Sequence, residues 1–380
     1  PLNSLRNNFF LESNYIAENF SDPLLKNMLF SHLVPFNHDI IDCRNLNHIR
    51  WTFVPNQIYR NQLANSEIKI SIIIPYCNRE QLLLRVVAQI SASTMNPLNF
   101  EIILIDDGSN QQQSRAVVND IRRYNDLNIQ VHYLVRNRKI TTLYTENRAG
   151  PARNLGASLA CGEILLFLDS DILLPTEYLN KLLKLHKLYH IVSPVRKYLS
   201  EVATQKKLSL TDIKPTDLME TPWDKYLETL YRSSDWRSLP QPWMYFMTYA
   251  LSISQKKFMQ AGGFRTNYIS YGYEDLDLGF RLLADKKTEY YNFKSAVYHL
   301  YHFESGNEYT LDNDFRYFQL AMSTRTFIAQ NFFEDAKTLE NAGFGSIFVK
   351  IAEFALHLQS KNSENVELTN LLFEEKKKKI

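Results

Sequence analysis

The chain predicts an α/β protein with a mostly parallel mixed sheet flanked by helices, and three observations lead there. Strand and helix patterns alternate from about residue 68 onward. Hydrophobic residues make up 45% and aromatics 13% of 380 residues, enough to bury a sizeable core. Acids recur at the carboxyl ends of the expected strands, where open α/β sheets bind their ligands.

Each element has its own signal. Ile70 to Ile74 is a β-branched run that Pro75 is expected to stop, and Gln81 to Ala92 follows with a helical period. Glu101 to Ile105 is the next buried strand, Ser114 to Tyr124 a helix and Val131 to Val135 a third strand. Pro151 to Ala160 opens a helix with proline near its first turn, and Ile164 to Leu168 is a fourth strand. Helix Glu177 to Tyr189 and strand Ile191 to Val195 complete the first half. From Arg196 to Pro242 the rhythm breaks into polar, Trp-bearing sequence, after which come strand Tyr245 to Ser254, helix Glu274 to Ala284 and the aromatic strand Tyr290 to Tyr298. Residues 1–67 are Asn- and aromatic-rich without a period, and 311–358 read as two or three helices. The expected division is therefore an N-terminal extension (1–67), a central domain (68–305) and a helical C-terminal extension with a Lys-rich tail (306–380).

Composition excludes more than it names. Lys+Arg 43 against Asp+Glu 41 leaves a formal charge of +2, which argues against a nucleic-acid partner. The run Lys376 to Lys379 is expected to be a solvated tail, with at most a peripheral contact to a membrane surface. Cys43, Cys77 and Cys161 are scattered, without a C-x-x-C pair, and fit reduced thiols in a cytoplasmic protein. The most hydrophobic stretch, Ile164 to Leu174, is interrupted by Asp169 and Asp171, and no apolar run approaches the roughly 18 residues of a membrane helix. The start at Pro1 lacks the pattern of a secretory leader, and without an initiator Met the natural N-terminus is open.

Glycine is scarce, 11 of 380 or about 3% where roughly 7% is ordinary. Eight of the 11 fall in two short stretches, at positions 108 to 162 and 262 to 279, which marks those stretches for attention. The first holds Asp106-Asp107-Gly108-Ser109 directly after a buried strand, a pattern that fits either a capped β-to-α turn or an acid that reads a nucleotide. No G-x-G-x-x-G loop and no P-loop accompanies it, so dinucleotide and ATP-type sites are disfavoured. Next comes Leu168-Asp169-Ser170-Asp171; carboxylates two apart on an extended chain point the same way with about 6 to 7 Å between backbones, so they are expected to divide the work between a ribose and a divalent cation.

The second stretch holds Gly262-Gly263-Phe264 and then Tyr271-Gly272-Tyr273-Glu274-Asp275. The two acids open a helix, where the dipole favours them as caps, and the flanking aromatics suit a carboxylate held beside an apolar sugar face. Downstream, His299 and His302 lie in an aromatic strand, as core residues or as metal ligands. Trp223, Trp236 and Trp243 precede the late strand, as core or as a platform for an acceptor sugar.

Taken in order, I-I-I-P-Y-x-N-R, I-D-D-G-S, N-R-A-G-P-A-R-N-L-G, F-L-D-S-D, G-G-F, Y-G-Y-E-D-L-D-L-G-F-R-L and Y-H-F-E resemble the inverting family-two glycosyltransferases of the GT-A fold. The second half also resembles the carboxyl-terminal module of galactosyltransferases and chondroitin-polymerase-like enzymes. The resemblance covers about residues 69 to 305. It implies a UDP-sugar donor, a Mn²⁺ or Mg²⁺ ion and a glycan or glycoconjugate acceptor. It implies further that Pro75 and Tyr76 end the first strand against the nucleotide, that Asp107 reads the uracil, that Arg148 supports the base or phosphates, and that Asp169 takes the ribose. Asp171 would hold the metal with His302, or with His299. Asp275 would be the catalytic base, with Glu274 beside it as acceptor-binding partner; Tyr271 and Trp243 would complete the acceptor side. Tyr271 and Tyr273 stand where the galactosyltransferase pattern has Trp and Gly, a departure that bears on sugar selectivity. A nucleotidyltransferase and a non-catalytic sugar-binding protein are the rival classes, disfavoured by the glycine-free loop Pro75 to Arg79 and by the presence of both Asp171 and Asp275. Residues outside the resemblance are candidates for placing an acceptor or forming a homo-oligomer.

Overall fold

The computed structural model describes residues 68–124, 126–133, 149–219, 239, 242–265, 268, 272–283 and 287–302, with 323 and 327. Arg148, Tyr271, Trp223, Trp236 and both proposed extensions, apart from those two positions, lie outside the described residues.

The strands are β1 (Ile70–Tyr76), β2 (Phe100–Asp106), β3 (Ile129–Tyr133), β4 (Ile164–Leu168), β5 (Ile172–Leu173), β6 (Ile191–Leu199), β7 (Leu218–Met219), β8 (Ala250–Ser254) and β9 (Tyr290–His299). The helices are α1 (Glu80–Ser91), α2 (Gln111–Ile121), α3 (Ala149–Leu159), α4 (Tyr178–Leu185), α5 (Glu201–Lys206), α6 (Gln255–Gln260) and α7 (Glu274–Leu283). Among the described residues the strands form one 9-stranded sheet in the order β3-β2-β1-β4-β8-β6-β9-β5, with β7 paired to β6. β3, β2, β1 and β4 run parallel, β8 returns antiparallel to β4, and β9 lies parallel to β6. Most paired residues lie in parallel ladders, as the alternating pattern predicts.

The period of two along the strands sorts the core into two layers. Ile70, Ile72, Ile74, Ile102 and Leu104 face α1, α2 and α4. Ile73, Ile103, Ile105, Leu165 and Phe167 face α3, α6 and α7. β1 runs two residues past its expected stop. Pro75 pairs with Ile105, while pairing with β4 ends at Ile73, so the missing proline N–H interrupts no bond on that side. Conversely, the expected strand from Tyr245 begins only at Ala250, because Pro242–Tyr245 closes a 3-10 turn. The irregular stretch after Arg196 contains α5, whose N-cap Ser200 accepts from the Ala203 N–H. Cys77 and Cys161 are half-buried, and neither is in a disulfide. Among the described residues no helix is long and apolar enough to cross a membrane.

A buried polar cluster aligns the opposite, amino ends of the strands. Glu101 is fully buried, and accepts from the Ser71 hydroxyl (2.6 Å), the Gln130 amide (2.9 Å) and the Cys161 N–H (2.7 Å). Gly162 donates to Ser71 Oγ at 2.8 Å, which closes the turn into β4. These bonds lock β1, β2, β3 and β4 in register, and so fix where their acid-bearing carboxyl ends emerge. A Cβ at Gly162 would lie 2.7 Å from Ser71 N and 2.8 Å from the Ile70 carbonyl carbon. Gly162→Ala should therefore destabilise the protein by about 1–3 kcal/mol, read as a lower urea midpoint at unchanged m-value.

Candidate functional site

The first wall of the site is the pair of turns after β1 and β2. Asn78 takes a left-handed φ of 52°, donates its N–H to Ser109 Oγ (2.9 Å) and accepts from the Asn110 N–H at Oδ1 (2.8 Å). The two turns are thereby tied to each other. Asp106 spends both carboxylate oxygens on its own turn, accepting from Ser109 N–H (2.7 Å) and Ser114 hydroxyl (2.5 Å). Asp106 therefore ties the turn to the first part of the helix, while the N-cap itself is Asn110, whose Oδ1 accepts from the Gln113 N–H at 3.0 Å. Asp107, 7% exposed, closes its backbone N–H onto the Tyr76 carbonyl at 2.8 Å and lies beside the end of β1 with Pro75.

The D-S-D turn forms the second wall, and its two acids face different partners. The Asp171 carbonyl accepts from Leu300 N–H (2.8 Å) and Ile172 pairs with His299, so the β5–β9 ladder carries both histidines to the acid from some 130 residues downstream. His302 Nε2 lies 3.2 Å from Asp171 Oδ2 and His299 Nε2 3.7 Å from Asp171 Oδ1. The sequence left open which histidine would join Asp171, and the fold brings both. Ligand atoms of Asp171, His299 and His302 all lie within 4.8 Å of one another. Arg79, which ends the P-Y-x-N-R motif but was not anticipated as a site residue, places Nη1 at 3.1 Å from Asp171 Oδ2 and 2.9 Å from His302 Nε2. Burial pushes the Asp171 carboxyl up, but His299, His302 and Arg79 together outweigh it and hold the group below the usual carboxylate range. One carboxylate and two imidazoles, gathered at a strand end, are a donor set that fits a divalent transition ion.

Asp169 faces the other way, toward Arg153. That arginine is 4% exposed and lies on α3 with Nη2 at 2.9 Å from Asp169 Oδ1 and Nη1 at 3.5 Å from Glu274 Oε1. Burial raises the Asp169 carboxyl, and Arg153 offsets part of the rise. Of the two arginines in N-R-A-G-P-A-R-N-L-G, the resemblance implies a role only for Arg148, which lies outside the described residues, whereas Arg153 stands in the site. The signal was the A-R-N triplet, whose last residue, Asn154, pins the Phe264 backbone at both its N–H (2.9 Å) and its carbonyl (2.7 Å).

The third wall is the start of α7. Gly272 and Tyr273 both take left-handed φ, 88° and 69°, so the chain turns sharply before the acids. A bulky Tyr in that region costs backbone energy, a feature concentrated at functional sites. Glu274 is 8% exposed, and among the described residues its Oε2 is buried with no hydrogen-bond partner. Asp275 accepts from Leu276 N–H at 2.8 Å. It is deeply enclosed with only part of its surface wetted, and that burial, followed by the charge of Glu274, pushes its carboxyl up to about 7 against the pull of Arg153. Asp277, fully buried, braces the helix by pairing Arg265 (2.8 Å) and Arg281 (2.9 Å), and Arg281 donates on to the Gly263 carbonyl (2.7 Å).

Trp243 differs from its expected place on an open acceptor platform. It is 5% exposed, stacked on Phe327 at 5.0 Å and edge-on to Phe280 at 5.7 Å, while Tyr273 meets Phe327 at 5.7 Å. Its ring therefore belongs to the aromatic cluster behind Tyr273, because Phe327 stacks on it and Phe280 packs perpendicular beside it.

Residues 71–259 match the family model described as glycosyl transferase family 2, and residues 229–304 match the model described as N-terminal domain of galactosyltransferase. Together the two models span 71–304, more than half of the chain. A validoxylamine A glucosyltransferase of Streptomyces hygroscopicus subsp. limoneus is 28% identical over 230 residues, covering 57% of this chain and 48% of that protein. A poly(ribitol-phosphate) beta-N-acetylglucosaminyltransferase of Staphylococcus aureus (strain N315) is 32% identical over 114 residues, 30% of this chain and 32% of that one. The chain spans about half the length of the first curated relatives it matches. The crystal structure of S. aureus TarS 1–349 in complex with UDP-GlcNAc aligns at a TM-score of 0.48 and 16% identity over 81% of this chain and 79% of that chain.

The raised Asp275 carboxyl has a consequence for stability. A carboxyl held up in the folded state favours the protonated form, so its contribution is fully present below about pH 4 and is lost as pH rises through about 7. Asp275→Asn should melt higher than the natural protein at about pH 9, by on the order of a few kcal/mol at most, and gain nothing at about pH 3.5; paired thermal melts at the two pH values check this.

Proposed function

We propose that the chain, which belongs to glycosyltransferase family 2, has the GT-A type of sheet and transfers a hexose or N-acetylhexosamine from a UDP-sugar to an acceptor hydroxyl with inversion. The observation that carries this reading is the placement of a carboxyl titrating near neutrality, Asp275, one buried arginine away from the D-S-D turn and its histidine cluster. In this reading Pro75, Tyr76 and Asp107 cradle the uracil and Asp169 takes the ribose; Arg148 supports the base or phosphates. Asp171, His299 and His302 would hold Mn²⁺, preferred over Mg²⁺ because imidazole suits the softer ion. When bound, such an ion supplies charge neutralisation for the departing diphosphate.

Asp275 does the proton work. With its pKa near the working pH it takes the acceptor hydroxyl proton as the oxygen attacks the anomeric carbon, a role worth about 10²- to 10⁴-fold. The bond to UDP breaks on the opposite face, so one displacement inverts the centre. Glu274, with Oε2 buried and unbonded among the described residues, is suited to accept a hydrogen bond from a second acceptor hydroxyl. Tyr271 is assigned to the same side.

A glycan or glycoconjugate is the first acceptor reading, in bacterial-type polysaccharide or glycoconjugate synthesis, and the likeness to a poly(ribitol-phosphate) transferase supports it. The likeness to a validoxylamine A glucosyltransferase supports a natural-product acceptor as the second. We assign catalysis to residues 68–305, and acceptor placement or pairing of copies to 1–67 and 306–380. The scattered cysteines, with Cys77 and Cys161 in no disulfide, support a cytoplasmic setting.

A screen of UDP-sugars for slow UDP release with Mn²⁺ present identifies the donor without the acceptor, and no release from any of them would overturn the reading. Asp171→Ala should abolish Mn²⁺-dependent UDP affinity in calorimetric titrations; unchanged binding removes the metal site. Asp275→Asn should keep UDP binding and lose about 10²-fold or more in transfer.

A further inference from the structure

Arg153 has more to do than neutralise one acid. A guanidinium 4% exposed on the inner face of a helix must be paired, and this one reaches the two halves of the site at once. Its Nη2 bonds Asp169 on the donor side and its Nη1 faces Glu274 on the acceptor side. Its Cζ lies over the Phe264 ring, 5.6 Å from the centroid, and the Phe264 backbone is fixed by Asn154 of the same helix. One turn earlier, Gly150 lets the helix press against the same two neighbours: a Cβ there would lie 3.3 Å from Phe264 Cβ and 3.7 Å from Glu274 Cγ.

We propose that Arg153 is the positioning residue that couples the two halves of the site, its planar fork holding Asp169 and Glu274 at a fixed separation and setting the electrostatic field at the base Asp275. This rests on the glycosyl-transfer reading above. A fork with two parallel donors can span two carboxylates, whereas a single ammonium reaches one. The charged and hydrogen-bonding groups that act on Asp275 are Glu274 and the Leu276 N–H from its own helix, Arg153 from α3 and Asp169 from the end of β4. Three carboxylates thus share one enclosed cation. Removing that cation leaves the protonated form of Asp275 favoured further, so the base engages only at higher pH.

The test reads the Asp275 carboxyl directly, by ¹³C NMR titration of the full chain, with its resonance identified by loss in Asp275→Asn. Arg153→Gln should move the midpoint upward by about one pH unit or more. Arg153→Lys should leave the midpoint within about half a unit and lower kcat for UDP release by about tenfold or more, since charge survives and the second contact does not. An unmoved midpoint in Arg153→Gln overturns the field role. Should the glutamine variant fail to fold, the lysine variant decides alone, because wild-type kcat there overturns the bridge. Absence of UDP release by the natural protein from any UDP-sugar overturns the glycosyl-transfer reading instead, while the NMR midpoint still decides whether Arg153 sets the charge at Asp275.

Discussion

A buried guanidinium shared between two carboxylates is the constraint on which the site depends. Arg153 could not stay 4% exposed without Asp169 and Glu274, and Glu274 could not be buried beside the half-exposed Asp169 without it. The need for mutual neutralisation draws the start of α7, 121 residues from Arg153, onto the point where the helix from Ala149 meets the end of β4. The surrounding packing serves that closure: Asn154 clamps the Phe264 backbone, and the Asp277 pairs with Arg265 and Arg281 stiffen the helix that presents Glu274 and Asp275.

The second dependence is topological. In an all-parallel sheet the D-S-D turn would face solvent alone. Here β8 returns antiparallel beside β4, and the short β5 pairs with the end of β9, so His299 and His302 arrive next to Asp171 by strand register. The opposite end of the sheet carries the matching device: Glu101 and its three donors fix the strands' starting points, and with them the level at which Asp107, Asp169 and Asp171 emerge. Binding chemistry at one end is thus set partly by a buried carboxylate at the other, which never meets a ligand.

Much of this was legible in the residues. Ile70 to Ile74, Glu101 to Ile105 and Ile164 to Leu168 announce buried strands because β-branched and apolar runs of that length have few other homes. The acid clusters at their ends were legible for the same reason. Errors came where local chemistry was overruled by neighbours. Pro75 stays in β1 because its ladder with β2 continues after the one with β4 has ended. Trp243 is buried because Phe280 and Phe327, distant in sequence, cover it. Arg153 was overlooked because a helical pattern shows that a residue lies on some face and not what that face will meet.

The sequence by itself determined the elements, the alternation that stacks them in layers, and the identity of the acids and histidines, since these follow from short-range periodicity and side-chain chemistry. Glycine followed the same rule: scarce overall, it was kept where the chain bends hardest, and Gly272 with φ 88° just ahead of Glu274 and Asp275 is the plainest instance. Only the tertiary structure decided which acids share a cation, which histidines meet Asp171, and that Asp275 titrates near neutrality. The physical reason is range. Propensity and periodicity act over a few residues, whereas burial and charge–charge coupling depend on every group brought within several ångströms, whatever its distance along the chain.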